Sequence, residues 1–388
     1  MNVSTNYDLG INEDPLDQDE DRSSDEHVIK PWDPKDIRIT TKTFTIREIF
    51  TQVQEEELDL APDFQRDFVW KVGQQVRLIE SILLGIPLPA FYFNQDKLGA
   101  IQVVDGVQRL TTISNFMRNE LVLDGQKLEY LEHLKGKTYD SLEPAIKRRF
   151  ASTQLVAHLI EPQTPDEVKY DIFSRVNTGG TPLNAQEIRH CMSKAQSRTL
   201  LTTLTLSENF DLATERAFWR RVDGTLVREN RRMADRELVL RFCAFYITPI
   251  GEYAKASSLD AFLLAFTKRL DQNDGDPRLS ADHLKEVFDR AMNNCYTILG
   301  KAAFRRWQIT ADRRGPLNRA VFESQAIALA DYELSALLPH RERIVNSFRE
   351  LFEDQAYDSA VRFGTGSPTR VELRLARTKQ VIAQILSQ

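Results

Sequence analysis

The chain has 388 residues, of which 41% are hydrophobic and 28% charged, and its net charge is −6 at pH 7. This length predicts two or three domains, each able to bury a hydrophobic core. No apolar run reaches the roughly 18 residues of a membrane span, and the acidic N-terminal segment lacks the apolar region of a secretory signal. Cys191, Cys243 and Cys295 are too widely spaced for a zinc site or a disulfide framework. We therefore expect a cytoplasmic protein with reduced thiols and no membrane partner.

The negative charge is concentrated at one end of the chain. Residues 1–26 contain nine acidic residues and one arginine, a net charge of −8, which leaves +2 for the rest. Because residues 1–36 are polar, acidic and poor in aromatic residues, they are expected to form a disordered acidic tail. The near-neutral remainder gives no whole-protein argument for or against a nucleic-acid partner.

Residues 37–162 have the pattern of an α+β domain, a small mixed sheet with packed helices. Gly85 is placed to end the second helix. The predicted strands are 38–44, 90–93, 98–104, 121–123 and 155–160, and the predicted helices are 46–53, 74–84 and 107–118.

Residues 163–388 have a helical pattern almost throughout and are expected to form an all-helical domain. Asn184 followed by Glu187 indicates a capping box at the start of one helix. The predicted helices are 166–176, 184–191, 236–246, 259–270, 281–299, 319–338 and 370–386.

The most informative segment is residues 101–113. A short apolar run ends in the turn dipeptide Asp105-Gly106, and Leu110 and Ile113 then follow at helical spacing. The segment therefore predicts a strand, a tight turn and a helix, with Asp105 at the strand end.

Such a turn suits an anionic ligand. The first turn of a helix has unpaired N–H groups and a partial positive charge, and Gly106 allows close backbone approach. Arg109 could grip a phosphate there, while Asp105 could hold a metal or orient water. On residue types alone, an ion pair of Asp105 with Arg109 that only staples the turn explains the pattern equally well.

Three segments resemble one bacterial family. Residues 105–112 resemble the Asp-Gly-Gln-Gln-Arg-Leu-Thr box of the N-terminal domain of GmrSD-type, modification-dependent restriction enzymes, whose fold is similar to that of ParB and sulfiredoxin; Val107 stands where the family usually has Gln. The other two boxes are residues 65–70 with 78–89, and residues 173–180 with Leu183 and Glu187.

The resemblance implies a ParB/sulfiredoxin-like domain at residues 37–162 that binds and hydrolyses a nucleoside triphosphate with Mg²⁺, in defence against foreign DNA. Asp105 would orient water or hold Mg²⁺, Gln108 would position the attacking water, and Arg109 and Arg66 would hold phosphates. The other phosphate-binding candidates are Gln65, Trp70, Gly106, Thr111, Arg175 and Asn177.

Structural interpretations of these residues remain open. Trp70 could belong to the core with Arg66 stacked on it, and Asn177 could simply cap a helix. Arginine clusters beside aromatic residues suit a nucleic-acid surface but are also typical of solvated helix faces. The clusters are residues 147–149, 220–221, 228–232, 305–306 and 313–314.

The sequence argues against DNA cleavage by this chain. GmrSD-type enzymes usually carry a C-terminal His-Asn-His nuclease module, yet only His283 and His340 lie beyond residue 200, neither in such a setting. No pattern for zinc or an organic cofactor is found. The alternatives are a non-catalytic nucleic-acid-binding module that uses the same pocket and a ParB-like nuclease. Expected partners are a nucleoside triphosphate, DNA or RNA, and a nuclease or another protein.

Overall fold

The computed structural model describes residues 33–60, 70–96, 99–124, 127–176, 183–229, 231–272 and 275–387. These residues divide into two compact units, which lie within Ile29–Met192 and Ser193–Gln388. The first unit is built on a small mixed sheet and the second is mainly helical, so the predicted α+β class is confirmed.

The sheet of the first unit has five strands among the described residues, in the order β1-β5-β3-β4-β2. The outer pair β1 and β5 is antiparallel, β5 and β3 are parallel, β3 and β4 are antiparallel, and β4 and β2 are parallel. The strands are β1 (Ile39–Thr45), β2 (Leu58–Asp59), β3 (Phe91–Gln95), β4 (Ile101–Asp105) and β5 (Gln154–Ile160).

One face of this sheet carries the main core of the unit. Because side chains alternate along a strand, Phe91 and Phe93 point to the same face as Val103, where they meet Leu110 and Phe116 of a helix. The helices on this side are α1 (Ile46–Gln54), α2 (Val72–Leu84), α3 (Val107–Met117) and α4 (Pro144–Ala151).

The opposite face is covered by α5 (Asp166–Val176) and α6 (Ala185–Cys191), which contact β4. Val104 of β4 and Ile160 of β5 each follow a residue of the main core and therefore point to this opposite face. There they pack against Phe173 and Ile188. These contacts place α5 and α6 in the first unit, which extends beyond residue 162 to Met192.

The second unit packs its helices around a separate core. Its interior also contains a buried ion cluster, in which Glu323 accepts hydrogen bonds from Arg241 and Arg374. The helices are α7 (Ala195–Thr205), α8 (Glu208–Ala213), α9 (Ala234–Ile247), α10 (Ile250–Tyr253), α11 (Leu259–Gln272), α12 (Ala281–Asn294), α13 (Arg319–Leu329), α14 (Leu334–Leu337), α15 (Arg341–Glu350), α16 (Gln355–Arg362) and α17 (Pro368–Leu386).

A hairpin interrupts the helical pattern of this unit. Its strands are β6 (Trp219–Val222) and β7 (Thr225–Arg228), which pair antiparallel. The helical pattern predicted for residues 163–388 gave no sign of it, because its exposed strands lack an apolar stripe.

Three other sequence predictions differ from the structure. Residues 121–123 form no strand; Leu121 and Leu123 are buried, but only Leu123 forms backbone hydrogen bonds, with residues 136–137. The single helix predicted at 281–299 is α12 followed by a π-helical turn, Cys295–Leu299. The helix predicted at 319–338 breaks after Leu329, where α13 ends.

Two expectations concern membranes and thiols. In the described ranges, no helix is both long enough and apolar enough to cross a bilayer. Cys191, Cys243 and Cys295 are buried and form no disulfide bond, and burial raises the pKa of the Cys243 thiol to about 12. Buried thiols of this kind are poor nucleophiles at neutral pH.

Candidate functional site

The predicted strand, turn and helix are present. β4 ends at Asp105, and α3 begins at Val107 immediately after Gly106. Gly106 has φ 99°, and a Cβ added to it would lie 2.2 Å from Cδ1 of Phe91. Only glycine fits both this backbone conformation and this contact, so the turn brings α3 tightly against β3.

The first turn of α3 is open at its N-terminus. Gly106 provides no side-chain cap, and the first intrahelical hydrogen bond runs from Leu110 N to the carbonyl of Gly106 at 2.9 Å. The N–H groups of Val107, Gln108 and Arg109 therefore receive no cap from the residue that starts the helix. Together with the helix dipole, such amides favour a negatively charged group.

Arg109 is held in place on several sides. Its Nη2 donates to Asp105 Oδ2 at 2.9 Å and to the carbonyl of Ala90 at 3.3 Å, and its Nη1 donates to the carbonyl of Pro89. The guanidinium carbon also lies 4.3 Å from the centre of the Phe91 ring. Arg109 thus joins the end of β4 to the segment that enters β3.

The Asp105–Arg109 pair lies at the edge of the interior. The side chains are 25% and 13% exposed, respectively. Burial lowers the pKa of Arg109, while the neighbouring Asp105 opposes this shift, so the guanidinium keeps its charge at neutral pH. The pair can therefore present a carboxylate in a fixed position to a ligand at the turn.

Gln108 has an unusual buried oxygen. Its side-chain Oε1 is buried and has no hydrogen-bond partner among the described residues, whereas its main-chain carbonyl accepts from Thr112 Oγ1 at 2.8 Å. Buried polar atoms are normally paired, and an exception in a fold often marks a place where water or a ligand binds. Thr111 lies beside it, partly buried on α3.

The structure brings together Asp105, Gly106, Gln108, Arg109 and Thr111, but not every predicted site residue. Trp70 is half-buried and packs against the main core of the unit, with its carbonyl accepting from Gln75 Nε2 at 2.9 Å. Arg175 is exposed and pairs with Asp171 at 3.0 Å. The remaining three candidates, Gln65, Arg66 and Asn177, lie outside the described residues.

Glu80 of α2 is a residue whose role the sequence did not suggest. Its carboxylate, only 3% exposed, accepts the backbone N–H groups of Glu129, Tyr130 and Leu131 at 2.8–3.1 Å. Burial by itself would raise the pKa of Glu80, but these three hydrogen bonds, with a smaller contribution from Arg77, hold it below the usual value. The sequence signal that could have found this residue is a glutamate within the apolar stripe of α2. In the structure, Glu80 anchors the segment after Leu128 to α2.

The described residues contain no group of three or more His, Cys, Asp or Glu side chains that could hold a metal ion. Asp105 is the carboxylate of the strand–turn–helix box. Mg²⁺ is commonly held by one or two protein carboxylates together with substrate phosphates. Asp105 is therefore the residue of the box that could hold such an ion.

These features define an α+β domain with a strand–glycine–helix box that combines a fixed carboxylate with open helix amides. Residues 46–193 match the family model of the GmrSD restriction endonuclease, N-terminal domain. This match agrees with the family that the sequence resemblance predicted, and the matched segment ends one residue after the first compact unit. A comparison of the chain with curated proteins gives no match.

Proposed function

We propose that the GmrSD N-terminal domain of this chain binds and hydrolyses a nucleoside triphosphate, with the phosphates at the N-terminus of α3. The observation that carries this proposal is the uncapped first turn of α3, which directly follows the fixed carboxylate of Asp105. Backbone amides at a helix start are a general means of binding phosphate.

Two residues of the box are assigned to the attacking water. Asp105 orients it or binds Mg²⁺, and Gln108, whose buried Oε1 has no partner among the described residues, accepts a hydrogen bond from it. Water then adds to the γ-phosphorus as the bond to the β–γ bridging oxygen breaks, which gives a nucleoside diphosphate and phosphate. Positioning and charge stabilisation supply most of the rate in such reactions.

Arg109 takes a double role in this proposal. Its three hydrogen bonds use three of the five N–H groups of the guanidinium and fix Asp105 at the turn. The remaining two N–H groups are assigned to a phosphate in this proposal. We therefore assign Arg109 first as a positioning residue for Asp105 and second as a phosphate ligand.

Mg²⁺ would be held by Asp105 and the phosphates, where it would neutralise part of their negative charge. The family name refers to restriction endonucleases. On that basis we propose that the chain acts in prokaryotic defence against foreign DNA, in the cytoplasm, with nucleic acid and a nuclease or another protein as partners.

Phosphate release tests this proposal directly. The full chain is incubated with each ribonucleoside triphosphate and Mg²⁺, with and without DNA, while nucleotide binding is followed by thermal shift. We expect one nucleotide to raise the melting temperature and to release phosphate. Binding without release under all these conditions would instead favour a non-catalytic module, and nicking of plasmid DNA would favour a ParB-like nuclease.

A further inference from the structure

The β6–β7 hairpin of the second unit is a tight antiparallel ribbon. Val222 pairs with Thr225, and the two turn residues, Asp223 and Gly224, have φ values of 48° and 84°. Positive φ at both central residues is typical of the type I′ turn, which matches the twist of two strands. The ribbon is therefore well formed up to its tip.

Both faces of the ribbon are exposed. Arg220 and Arg221 are exposed, as are Val222, Leu226 and Val227 at 36%, 47% and 45%. Since successive side chains point to opposite faces, neither face packs on the described part of its unit. Two strands alone are marginally stable, and apolar side chains left in water at such a place indicate a surface that a partner covers.

The base of the ribbon is fixed firmly. Arg228 Nη1 donates to both carboxylate oxygens of Asp211, at 2.7 and 2.9 Å, and its Nη2 donates to the carbonyl of Thr205. The ring of Trp219 lies 5.5 Å from the guanidinium carbon of Arg216 and 5.7 Å from that of Arg228. These contacts at the base fix the direction in which the exposed part of the ribbon extends from its unit.

Backbone strain is present on both sides of the ribbon. Glu215 and Arg216, before β6, have φ 55°, and Arg232 and Met233, after β7, have φ 53° and 54°. The left-handed conformation costs a non-glycine residue roughly 1 kcal/mol. Strain of this kind concentrates at functional sites, where surrounding contacts maintain it.

We propose that the β6–β7 hairpin inserts into the major groove of duplex DNA. Arg220 and Arg221 face outward. Arg221 has no acidic partner among the described residues, while Arg220 lies 3.5 Å from Glu229. A strand of four residues is about 14 Å long. The major groove is about 12 Å wide and 8.5 Å deep and admits a two-stranded ribbon.

These dimensions assign a role to each part of the ribbon. The tip reaches the base edges, where the apolar side chain of Val222, which pairs with Thr225 next to the turn, can contact a thymine methyl group. Arg220 and Arg221, which pair with Val227 and Leu226 further from the turn, are assigned to the phosphates. This inference is independent of the proposed nucleotide site, because the ribbon belongs to the second unit.

Fluorescence anisotropy with a fluorescein-labelled 25-base-pair DNA duplex tests the proposal on the full chain. The variant Arg220→Glu/Arg221→Glu is compared with Lys285→Glu/Lys379→Glu, which makes the same charge change at exposed helix positions. We expect the first to raise Kd at least tenfold at 0.1 M salt and the second to stay within about twofold of wild type. Loss of two phosphate contacts should also reduce the slope of log Kd against log salt by about 2.

Two further measurements address the groove itself. Val222→Ser should weaken binding several-fold with an unchanged salt slope, because it removes the apolar contact at the tip of the ribbon. An RNA duplex of the same sequence should bind at least tenfold more weakly, since its major groove is too narrow for side chains to read. Circular dichroism and thermal unfolding check that the variants fold. If the double variant does not fold, the single variant Arg221→Gln replaces it.

The proposal is overturned if wild-type protein does not bind the DNA duplex, or if the arginine variant binds as well as the lysine control. Equal affinity for single-stranded DNA or duplex RNA overturns it as well. Equal affinity for either of these nucleic acids would mean that the ribbon does not recognise the major groove of DNA.

Discussion

The carboxylate of Asp105 accepts a hydrogen bond at 2.9 Å from Arg109, one helical turn further along the chain. The same guanidinium donates to the carbonyls of Pro89 and Ala90, at the entry to the neighbouring strand. The candidate catalytic carboxylate is therefore part of the fold itself. Chemistry and stability can be separated only by comparing variants that affect them differently.

Asp105→Asn should separate nucleotide binding from turnover. The amide keeps the shape of the side chain but loses the charge that holds Mg²⁺ or orients water. We expect affinity within a few-fold of wild type and hydrolysis lower by roughly a hundredfold or more, the effect of losing one catalytic group. Isothermal titration and phosphate release measure the two quantities.

Asp140→Asn is the matched control for this substitution. Asp140 is an exposed aspartate of the same unit that pairs with Lys147 at 2.8 Å, away from the box. The Asp140→Asn substitution should leave the hydrolysis rate unchanged. Wild-type turnover in the Asp105 variant would mean that Asp105 only forms the turn.

Arg109→Ala should lower the free energy of unfolding. The substitution removes three hydrogen bonds and leaves the largely buried carboxylate of Asp105 without its cation. Loss of one partner of such a pair costs about 2–4 kcal/mol. Urea unfolding measures this change. Arg77→Ala is the control, because the side chain of Arg77 also pairs with a carboxylate, that of Glu129, but is 68% exposed.

The control should stay within about 0.5 kcal/mol of wild type, as is usual for exposed ion pairs. If Arg109→Ala unfolds at the same urea concentration as Arg77→Ala, then Arg109 contributes little to the fold. Its position would then have to be explained by ligand binding alone.

Gly106→Ala should disrupt the turn more than an ordinary glycine substitution does. Its Cβ would meet the Phe91 ring at 2.2 Å, in addition to the strain of a positive φ. The comparison is Gly136→Ala, where φ is 75° but no atom lies within 4 Å of the added Cβ. Strain alone costs about 1 kcal/mol, and forcing a methyl group into packed surroundings adds about 1–3 kcal/mol.

Thermal unfolding of the two glycine variants decides the point. A larger drop in Tm for Gly106→Ala than for Gly136→Ala is expected. Equal drops would show that β3 moves away from the turn without loss, contrary to the tight packing proposed for it.

Local patterns in the sequence predicted the local structure of the site. Asp105-Gly106 followed by helical spacing gave the turn and the start of α3, and Asn184 with Glu187 gave the capping box that the structure contains. The helix predicted at residues 166–176 has the same bounds in the structure. Each of these features depends on residues within one or two turns of each other, so the sequence contains the whole signal.

Contacts between distant residues could not be predicted in this way. The carbonyls that hold Arg109 lie 19 and 20 residues before it, and the amides that bind Glu80 lie 49 to 51 residues after it. The β6–β7 hairpin was missed for a different reason. Its exposed arginines and valines form no apolar face, so neither helical nor strand periodicity is present.

Glu80→Gln should make stability less dependent on pH. The folded protein holds the pKa of Glu80 below its usual value, so the carboxylate stabilises the fold above the unfolded pKa of about 4.3. That contribution is lost as the pH falls through the lowered pKa of the folded state. Glutamine keeps the shape but accepts the three backbone N–H groups as a neutral, weaker acceptor.

The free energy of unfolding of wild type and Glu80→Gln should therefore differ by about 1–2 kcal/mol at pH 7 and converge as the pH falls below about 4. Urea unfolding between pH 3 and pH 7 measures both curves. Glu48→Gln is a useful comparison, because the pKa of Glu48 is also lowered by hydrogen bonds, but its carboxylate lies at the exposed start of α1. A constant difference across the pH range would mean that the charge of Glu80 is not what fixes the segment after Leu128 to α2.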